Sequence, residues 1–158
     1  MKRYIRSAIV NILDEPGETQ LKVAWNSTRP DELRALAQTE HVGVLPAVLA
    51  NPNTPADVVD NLIATLDDSI LWDAIQYEHP SPELLTKLST HKERSVREAV
   101  AENKATPADV LAKLAKDKSV FVVRAVALNR STPDAVLKKL EKYPDAFVRD
   151  YAAQTLGR

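Results

Sequence analysis

Residues 96–117 read VREAVAENKATPADVLAKLAKD, and residues 122–140 repeat the same pattern as VVRAVALNRSTPDAVLKKL. In both stretches, two apolar segments flank a short polar connection that contains Asn and Thr-Pro. Prolines at positions 30, 55, 82, 107 and 133 carry the same period of 25 to 27 residues through most of the chain. Periods of this length are typical of helical repeat architectures, in which each repeat is one supersecondary unit.

Each of these prolines marks the predicted start of a helix. Four of the five follow Ser or Thr, and an acidic residue follows each one within two positions. We expect the hydroxyl to cap free N–H groups, Pro to fit the first turn, and the acid to complement the positive helix end. Apolar residues then follow at helical spacing: Leu33, Leu36 and Ala37; Val58, Val59 and Leu62; Leu84, Leu85 and Leu88; Val110, Leu111 and Leu114; Val136, Leu137 and Leu140.

A second helix is predicted before each Pro, because apolar residues recur there at i, i+3 and i+4. These triplets are Val44, Ala47 and Val48; Leu71, Ala74 and Ile75; Val96, Ala99 and Val100; Val122, Ala125 and Val126; Val148, Tyr151 and Ala152. Pro46 indicates that the first of these helices starts late. Neither helix of a pair can bury its stripe alone, so we expect stacked neighbours to form a continuous core.

Asn recurs four residues before the proline, at positions 26, 51, 103 and 129. Asn tolerates the left-handed backbone that ends helices and can bond to neighbouring backbone groups. We therefore expect a helix stop and a ladder of hydrogen bonds between repeats, rather than a catalytic role.

The motif Val-Arg, Ala-Val-Ala, Asn, Thr-Pro and a final Leu stripe resembles the leucine-rich repeat variant family and, more distantly, HEAT-like repeats. The resemblance is close over residues 93–140 and looser over 19–155. It implies a right-handed α-solenoid of alternating helices, some of them 3₁₀. The founding family member carries a cysteine-ligated iron–sulfur module, and this chain has no cysteine, so that cofactor is not expected.

The fold predicted from these observations is all-α: a single helical-repeat domain over residues 1–158 with about five two-helix repeats in residues 19–155. Residues 1–18 lie before the repeats, and Ile5, Ala8, Ile9, Ile12 and Leu13 fit one helical stripe. We interpret this segment as an N-terminal cap, with a membrane-surface helix as the alternative.

The composition of the chain excludes several classes of functional site. Without cysteine, disulfides and thiolate metal sites are excluded. His41, His79 and His91 have no partner at metal-ligand spacing, and no catalytic motif is recognisable. No run of apolar residues is long enough to span a membrane, and the N-terminus does not read as a signal peptide. We therefore expect a cytoplasmic protein that is not an enzyme and has no cofactor or metal.

Charge is distributed unevenly. Residues 27–80 carry two basic and nine acidic residues, whereas residues 81–158 carry 15 basic and 10 acidic ones. Many of the basic residues follow the first helix of a late repeat and are predicted to form one basic edge: Lys92, Arg94, Lys116, Lys118, Lys139 and Lys142. Cations also favour helix C-termini, so a purely structural explanation stays open.

Three further residues share one repeat position and are candidate partner contacts: Trp72, Arg97 and Arg149. An exposed Trp would anchor a partner, although partial burial against a neighbouring repeat is an equal alternative. The predicted function is a non-catalytic scaffold for a protein partner. Nucleic-acid binding by the basic C-terminal half is the first alternative, and an enzyme on a HEAT-like frame is the second. The sequence leaves the oligomeric state open.

Overall fold

The computed structural model describes residues 12–77 and 79–157, in which helices and turns account for the secondary structure and no strand occurs. The chain divides into two compact units, Met1–Leu84 (unit 1) and Leu85–Arg158 (unit 2). Most of the predicted N-terminal cap, including Ile5, Ala8 and Ile9, lies outside the described residues. That the two units belong to one domain, as the sequence predicts, stays a prediction.

Unit 1 alternates two kinds of helix. One kind follows a repeat proline, and we call these the proline helices: α2 (Pro30–Leu36) and α4 (Ala56–Thr65). The other kind lies between them, and we call these the intervening helices: α1 (Gly17–Asn26), α3 (Leu45–Ala50) and α5 (Asp68–Gln76). Helix α3 packs against both α1 and α5, and α2 contacts α1 and α3.

The alternation continues along the chain. The proline helix α6 (Pro82–Leu88) contains the boundary between the two units. Unit 2 then has the intervening helices α7 (Arg94–Glu102), α9 (Val120–Leu128) and α11 (Ala146–Leu156). Between them lie the proline helices α8 (Ala108–Leu114) and α10 (Asp134–Leu140). Helix α9 packs against α7 on one side and α11 on the other, while α8 contacts α7 and α9.

Both predicted apolar stripes form the core. The intervening helices bury their triplets almost completely, from Val44 to Ala152, and only Tyr151 of the final triplet is left half-buried. The proline helices bury Leu33, Leu85, Leu111 and most of their stripe neighbours in the same way, whereas Ala37 and Val136 of the predicted stripes are only half-buried. None of the helices in the described part of the chain is long and apolar enough to cross a membrane.

The predicted late start of the first intervening helix after Pro30 is confirmed. A 3₁₀ turn, Val42–Val44, precedes α3, and Pro46 lies in the first turn of α3. Proline is tolerated there because the N–H groups of a first turn have no partner within the helix.

The threonines that precede the repeat prolines do not cap the proline helices, contrary to the prediction. Pro55, Pro107 and Pro133 are themselves the N-cap residues, so the preceding Thr lies one residue too early to cap the helix. The hydroxyls instead donate to a carbonyl in the last turns of the preceding helix, as from Thr132 to Val126 O at 2.7 Å. Thr54 and Thr106 do the same. Ser81, which directly precedes a helix that begins at Pro82, does accept a bond from Leu84 N.

The repeated Asn joins one intervening helix to the next. The Asn51 amide donates to Ala24 O at 2.8 Å and to Ser27 O at 3.0 Å, at the end of α1. The Asn129 amide donates to Ala101 O at 2.7 Å and to Asn103 O at 2.9 Å, at the end of α7. The predicted hydrogen-bonding role of Asn is therefore confirmed at these two positions.

The predicted left-handed backbone at Asn is wrong. Asn51, Asn103 and Asn129 are extended, with φ near −70° and ψ near 120°. An extended residue ends the helix equally well, because the next amide then points away from the helix axis. The Asn side-chain oxygen accepts instead from the N–H two residues later, in a tight turn that leads to Thr-Pro.

In the last repeat, Thr155 occupies the position of the repeated Asn. Its hydroxyl donates to Ala127 O at 2.7 Å, the carbonyl equivalent to Ala101 O one repeat earlier. A single donor thus preserves the connection to the preceding helix although the residue type has changed.

We predict that Asn129→Ala destabilises the protein by about 2–4 kcal/mol, because two carbonyls in and beside the core lose their donor. The matched control is Asn26→Ala, at a residue that has the same spacing to its proline but lies inside the last turn of α1, where Ser27 ends the helix. Asn26 is exposed, and among the described residues its amide bonds within its own helix, to Lys22 O, so the loss should stay below about 0.5 kcal/mol. Chemical denaturation of both variants measures the difference, and equal losses would contradict the role given to Asn129.

Candidate partner-binding surface

The six residues of the predicted basic edge are all exposed in unit 2. Lys92 and Lys118 line one shallow depression, together with His91 and the buried Arg97. None of the five lysines forms an ion pair within the described residues, and Arg94 makes a long one to Glu98 at 3.8 Å. That all six form one continuous edge stays a prediction.

The two units carry opposite net charge. Residues 85–158 contain 15 basic and 9 acidic residues, a net charge of +6, whereas residues 1–84 contain 6 basic and 13 acidic ones, a net charge of −7. The division of charge therefore follows the division into units. A net charge of this size attracts oppositely charged partners and increases the rate of their association.

Arg97 is buried, with 5% of its surface exposed. Its guanidinium forms a two-pronged ion pair with Asp117, with N–O distances of 2.7 and 3.1 Å. The remaining prong donates to His91 O and Lys92 O, in the loop that precedes α7. The assignment of Arg97 to a partner surface is therefore corrected: its polar atoms hold α7, the loop before it and the loop after α8 together.

Arg149 lies at the same repeat position in α11 but is exposed. Its guanidinium donates to Tyr143 O at 2.9 Å and Pro144 O at 2.8 Å, the carbonyls equivalent to those that Arg97 contacts. Trp72, also at this position, is 46% exposed on α5 in unit 1. Both residues are accessible, and their roles as partner contacts stay predictions.

The buried pair shifts the pKa values of both partners. Burial by itself raises the pKa of Asp117, but the hydrogen bonds from Arg97 and from Ser119 N–H, with the charges of Arg97 and Lys118, outweigh it. The pKa of this carboxyl therefore lies below its usual value. The hydrogen bond to Asp117 raises the pKa of Arg97 above its usual value.

A row of alternating arginine and phenylalanine side chains lies on the surface of unit 2. The Arg94 guanidinium lies 4.6 Å from the centre of the Phe121 ring, and that of Arg124 lies 5.5 Å from the same ring. Arg124 also lies 4.6 Å from the centre of the Phe147 ring. We call Arg94, Phe121, Arg124 and Phe147 the Arg–Phe ladder.

The ladder is accessible and fixed in place. Phe121 is 47% exposed and Phe147 is 54% exposed. Asp145 holds the Arg124 guanidinium over the rings through two bonds of 2.7 and 3.0 Å, and its carboxylate also caps α11 at Val148 N. The surface thus presents two exposed aromatic rings and, between them, an Arg124 guanidinium whose position is set before any partner arrives.

The ladder was not predicted from the sequence, although the sequence contains an indication of it. The chain has two phenylalanines, and they lie 26 residues apart at the same position of two successive repeats. Since equivalent positions of packed neighbouring helices lie side by side, this spacing predicts that both rings lie on one surface.

The described residues include no group of three or more His, Cys, Asp or Glu side chains placed to hold a metal ion. Comparison with protein-family models finds no match, and neither the curated proteins nor the solved structures include a significant match to this chain.

We predict that Asp117→Asn costs on the order of 3–5 kcal/mol at neutral pH, because the Arg97 charge stays buried without its counterion. In the unaltered protein, the lowered pKa of Asp117 stabilises the folded state at every pH above the unfolded-state pKa of about 3.9. This stabilisation is lost as pH falls from that value through the folded-state pKa. Denaturant unfolding from pH 7 to pH 3 should therefore show a steeper acid loss for the unaltered protein than for the variant.

The matched control is Asp57→Asn. Asp57 also forms a two-pronged pair, with Arg34, and its pKa is likewise lowered by the hydrogen bond from that guanidinium. Both side chains are more than half exposed, however, so water screens the pair and its removal should cost little. An equal cost for the two variants would contradict the importance given to burial of the Arg97–Asp117 pair.

Proposed function

We propose that this protein is a non-catalytic binding scaffold, and that unit 2 holds a protein partner through the Arg–Phe ladder. The observation that carries the proposal is the contact of Arg94 and Arg124 with two half-exposed phenylalanine rings. Exposed rings of this size cost free energy in water unless another surface covers them.

The residue types of the ladder support a protein partner. Aromatic and arginine side chains are enriched in the central, energetically dominant part of protein–protein interfaces. The ladder also loses little conformational freedom on binding, because Asp145 already fixes Arg124. Pre-ordered side chains increase affinity by reducing the entropy cost of association.

The charge of unit 2 supports an acidic partner. The net charge is +6 over residues 85–158, and the lysines of the predicted basic edge are exposed and make no ion pair within the described residues. Carboxylates on a partner could pair with them, and the rate of association should then fall as salt increases.

The architecture in this proposal is the right-handed α-solenoid of about five repeats that the leucine-rich repeat variant resemblance implies. It is supported by the alternation of proline and intervening helices and by the Asn bonds between successive intervening helices. The expected location is the cytoplasm. Stacked repeats suit a scaffold, since equivalent positions form extended binding surfaces.

We predict that replacing both rings, Phe121→Ser with Phe147→Ser, weakens partner binding by about 30-fold or more, the loss expected for removing interface anchors. Immobilised protein is used to capture partners from a nuclease-treated extract of the native host, followed by quantitative mass spectrometry and calorimetry on the purified partner. Because each ring is about half buried, the free energy of unfolding should fall by about 1.5–3 kcal/mol in total, and binding is compared under conditions in which both proteins are folded.

The matched control is Leu128→Ser, which removes another half-exposed apolar side chain of α9 that is not part of the ladder. Its capture profile should equal that of the unaltered protein. Loss of the same partners from the control, or their retention by the double variant, would overturn the assignment of the ladder.

Nucleic-acid binding by unit 2 is the second candidate function. The observation that favours it is the set of exposed lysines without ion pairs in the described part of unit 2, which could neutralise phosphates. The phenylalanine rings of the ladder could also stack on bases of a single strand.

Under this second function, Lys116→Glu with Lys118→Glu should abolish binding of a labelled 20-nucleotide RNA or DNA and leave stability nearly unchanged, since exposed charges contribute little to folding. Fluorescence anisotropy at 50 and 200 mM salt measures it, and binding by the unaltered protein should weaken steeply with salt. Absence of binding at low salt would exclude this function and leave the protein scaffold.

A further inference from the structure

Unit 1 contains an aromatic cleft that belongs to neither the ladder nor the predicted basic edge. A cavity of about 190 Å³ lies among Trp25, Ala47, Ala50, Asn51, Pro52, Tyr77 and His79. The Trp25 and Tyr77 rings are in contact, with centres 4.8 Å apart and planes inclined at 48°. Trp25 is 46% exposed, so a ligand could reach the cleft from solvent.

The carboxylate of Asp73 lies next to this pair of rings. Asp73 lies on α5, one helical turn before Tyr77, which directly follows that helix. With Trp25, Tyr77 and Gln76, Asp73 lines a second, open depression next to the cleft. Burial raises the pKa of the Tyr77 hydroxyl, and the negative charge of Asp73 raises it further. The carboxylate therefore lies close enough to act on groups at the aromatic pair.

The surroundings of the cleft also favour positive charge. Its lining comes from the carboxyl ends of α1 and α3 and from the residues that follow α3 and α5. Helix carboxyl ends carry partial negative charge. Unit 1 as a whole has a net charge of −7 over residues 1–84.

Asp73 forms no ion pair within the described residues of unit 1. The three described basic residues of that unit are engaged elsewhere: Lys22 with Glu18, Arg29 with Glu32 and Arg34 with Asp57. A cation supplied by another molecule would thus meet a carboxylate that has no counterion among the described residues, next to two aromatic rings.

We propose that Trp25 and Tyr77 of this cleft, together with Asp73 from the adjoining depression, bind an arginine side chain presented by a protein partner. A guanidinium is planar, stacks on indole and phenol rings, and donates two parallel bonds to a carboxylate. The inclined rings and the neighbouring Asp73 match these two demands together. Asn51 positions the site in advance, since its amide bonds to Ala24 O and Trp25 O.

The site goes beyond the proposed function because it lies in the other unit and shares no residue with the ladder. Failure of the ladder variants would therefore leave this proposal standing, and the reverse is equally true. The site also makes a distinct chemical demand: its ligand is a cation, whereas unit 2 would attract acidic groups.

The experiment uses the full ¹⁵N-labelled chain, whose two tryptophans, Trp25 and Trp72, give two indole N–H signals. The probe is an N-acetylated, C-amidated Gly-Arg-Gly tripeptide, and the neutral control peptide carries citrulline in place of arginine. Trp72→Phe assigns the signals. The arginine peptide should shift the Trp25 signal in a saturable way and leave the Trp72 signal in place.

Removal of either charge should weaken this binding. The citrulline peptide and the Asp73→Asn variant should each bind about 10-fold more weakly, as expected for loss of one cation–π or charged contact. Asp31→Asn removes an equally exposed carboxylate of unit 1 that is not part of the cleft, and binding should be unchanged.

Three results would overturn the proposal. The first is no saturable shift of Trp25 with the arginine peptide. The second is an equal shift with the citrulline peptide, which would show that the charge is not recognised. The third is an equal loss of binding in Asp31→Asn and Asp73→Asn, which would show only general attraction to an acidic unit.

Discussion

The hydrogen bond from a side-chain amide to the end of the preceding intervening helix is the constraint on which the rest of the structure depends. Four of these helices, α1, α3, α7 and α9, end in an extended residue, which leaves carbonyls of the last turn without a partner in the helix. Asn51, Asn129 and, with a hydroxyl, Thr155 supply the donor one repeat later. Within unit 1 the bond joins α1 to α3, and within unit 2 it joins α7 to α9 and α9 to α11, where the apolar stripes of the joined helices pack together.

Once the helices are fixed in this way, equivalent exposed positions become neighbours. In unit 2 this places the Arg124 guanidinium against Phe121 and Phe147, and in unit 1 Trp25 contacts Tyr77, at the equivalent position two repeats later. These positions contribute little to the core, so their residue types can differ from repeat to repeat without disturbing the stack. The same period that builds the core therefore also lines up surface groups, and we infer that recognition is located there.

The contacts of the polar residues could be predicted only in part from the sequence. The period correctly placed Asn and Thr at the junctions of helices, yet the backbone of Asn is extended rather than left-handed, and the Thr hydroxyls bond backwards rather than capping the next helix. The Thr outcome depends on a single residue of register at the start of the next helix, and the Asn outcome on how the preceding helix ends, and propensities do not resolve helix boundaries to one residue. Arg97 fits a surface position by spacing, but Asp117, twenty residues later, is brought against it and buries it.

The sequence by itself determined the two kinds of helix, their order and the apolar residues of the core, because helical periodicity and the repeat act locally and recur five times. It also determined the opposite charges of the two halves. Only the tertiary structure decided which polar side chains are buried in pairs and which are left exposed, and it alone brought together the Arg–Phe ladder and the aromatic cleft. The physical reason is that these groups come from different repeats, so their contacts depend on how neighbouring helices pack rather than on any local preference of the chain.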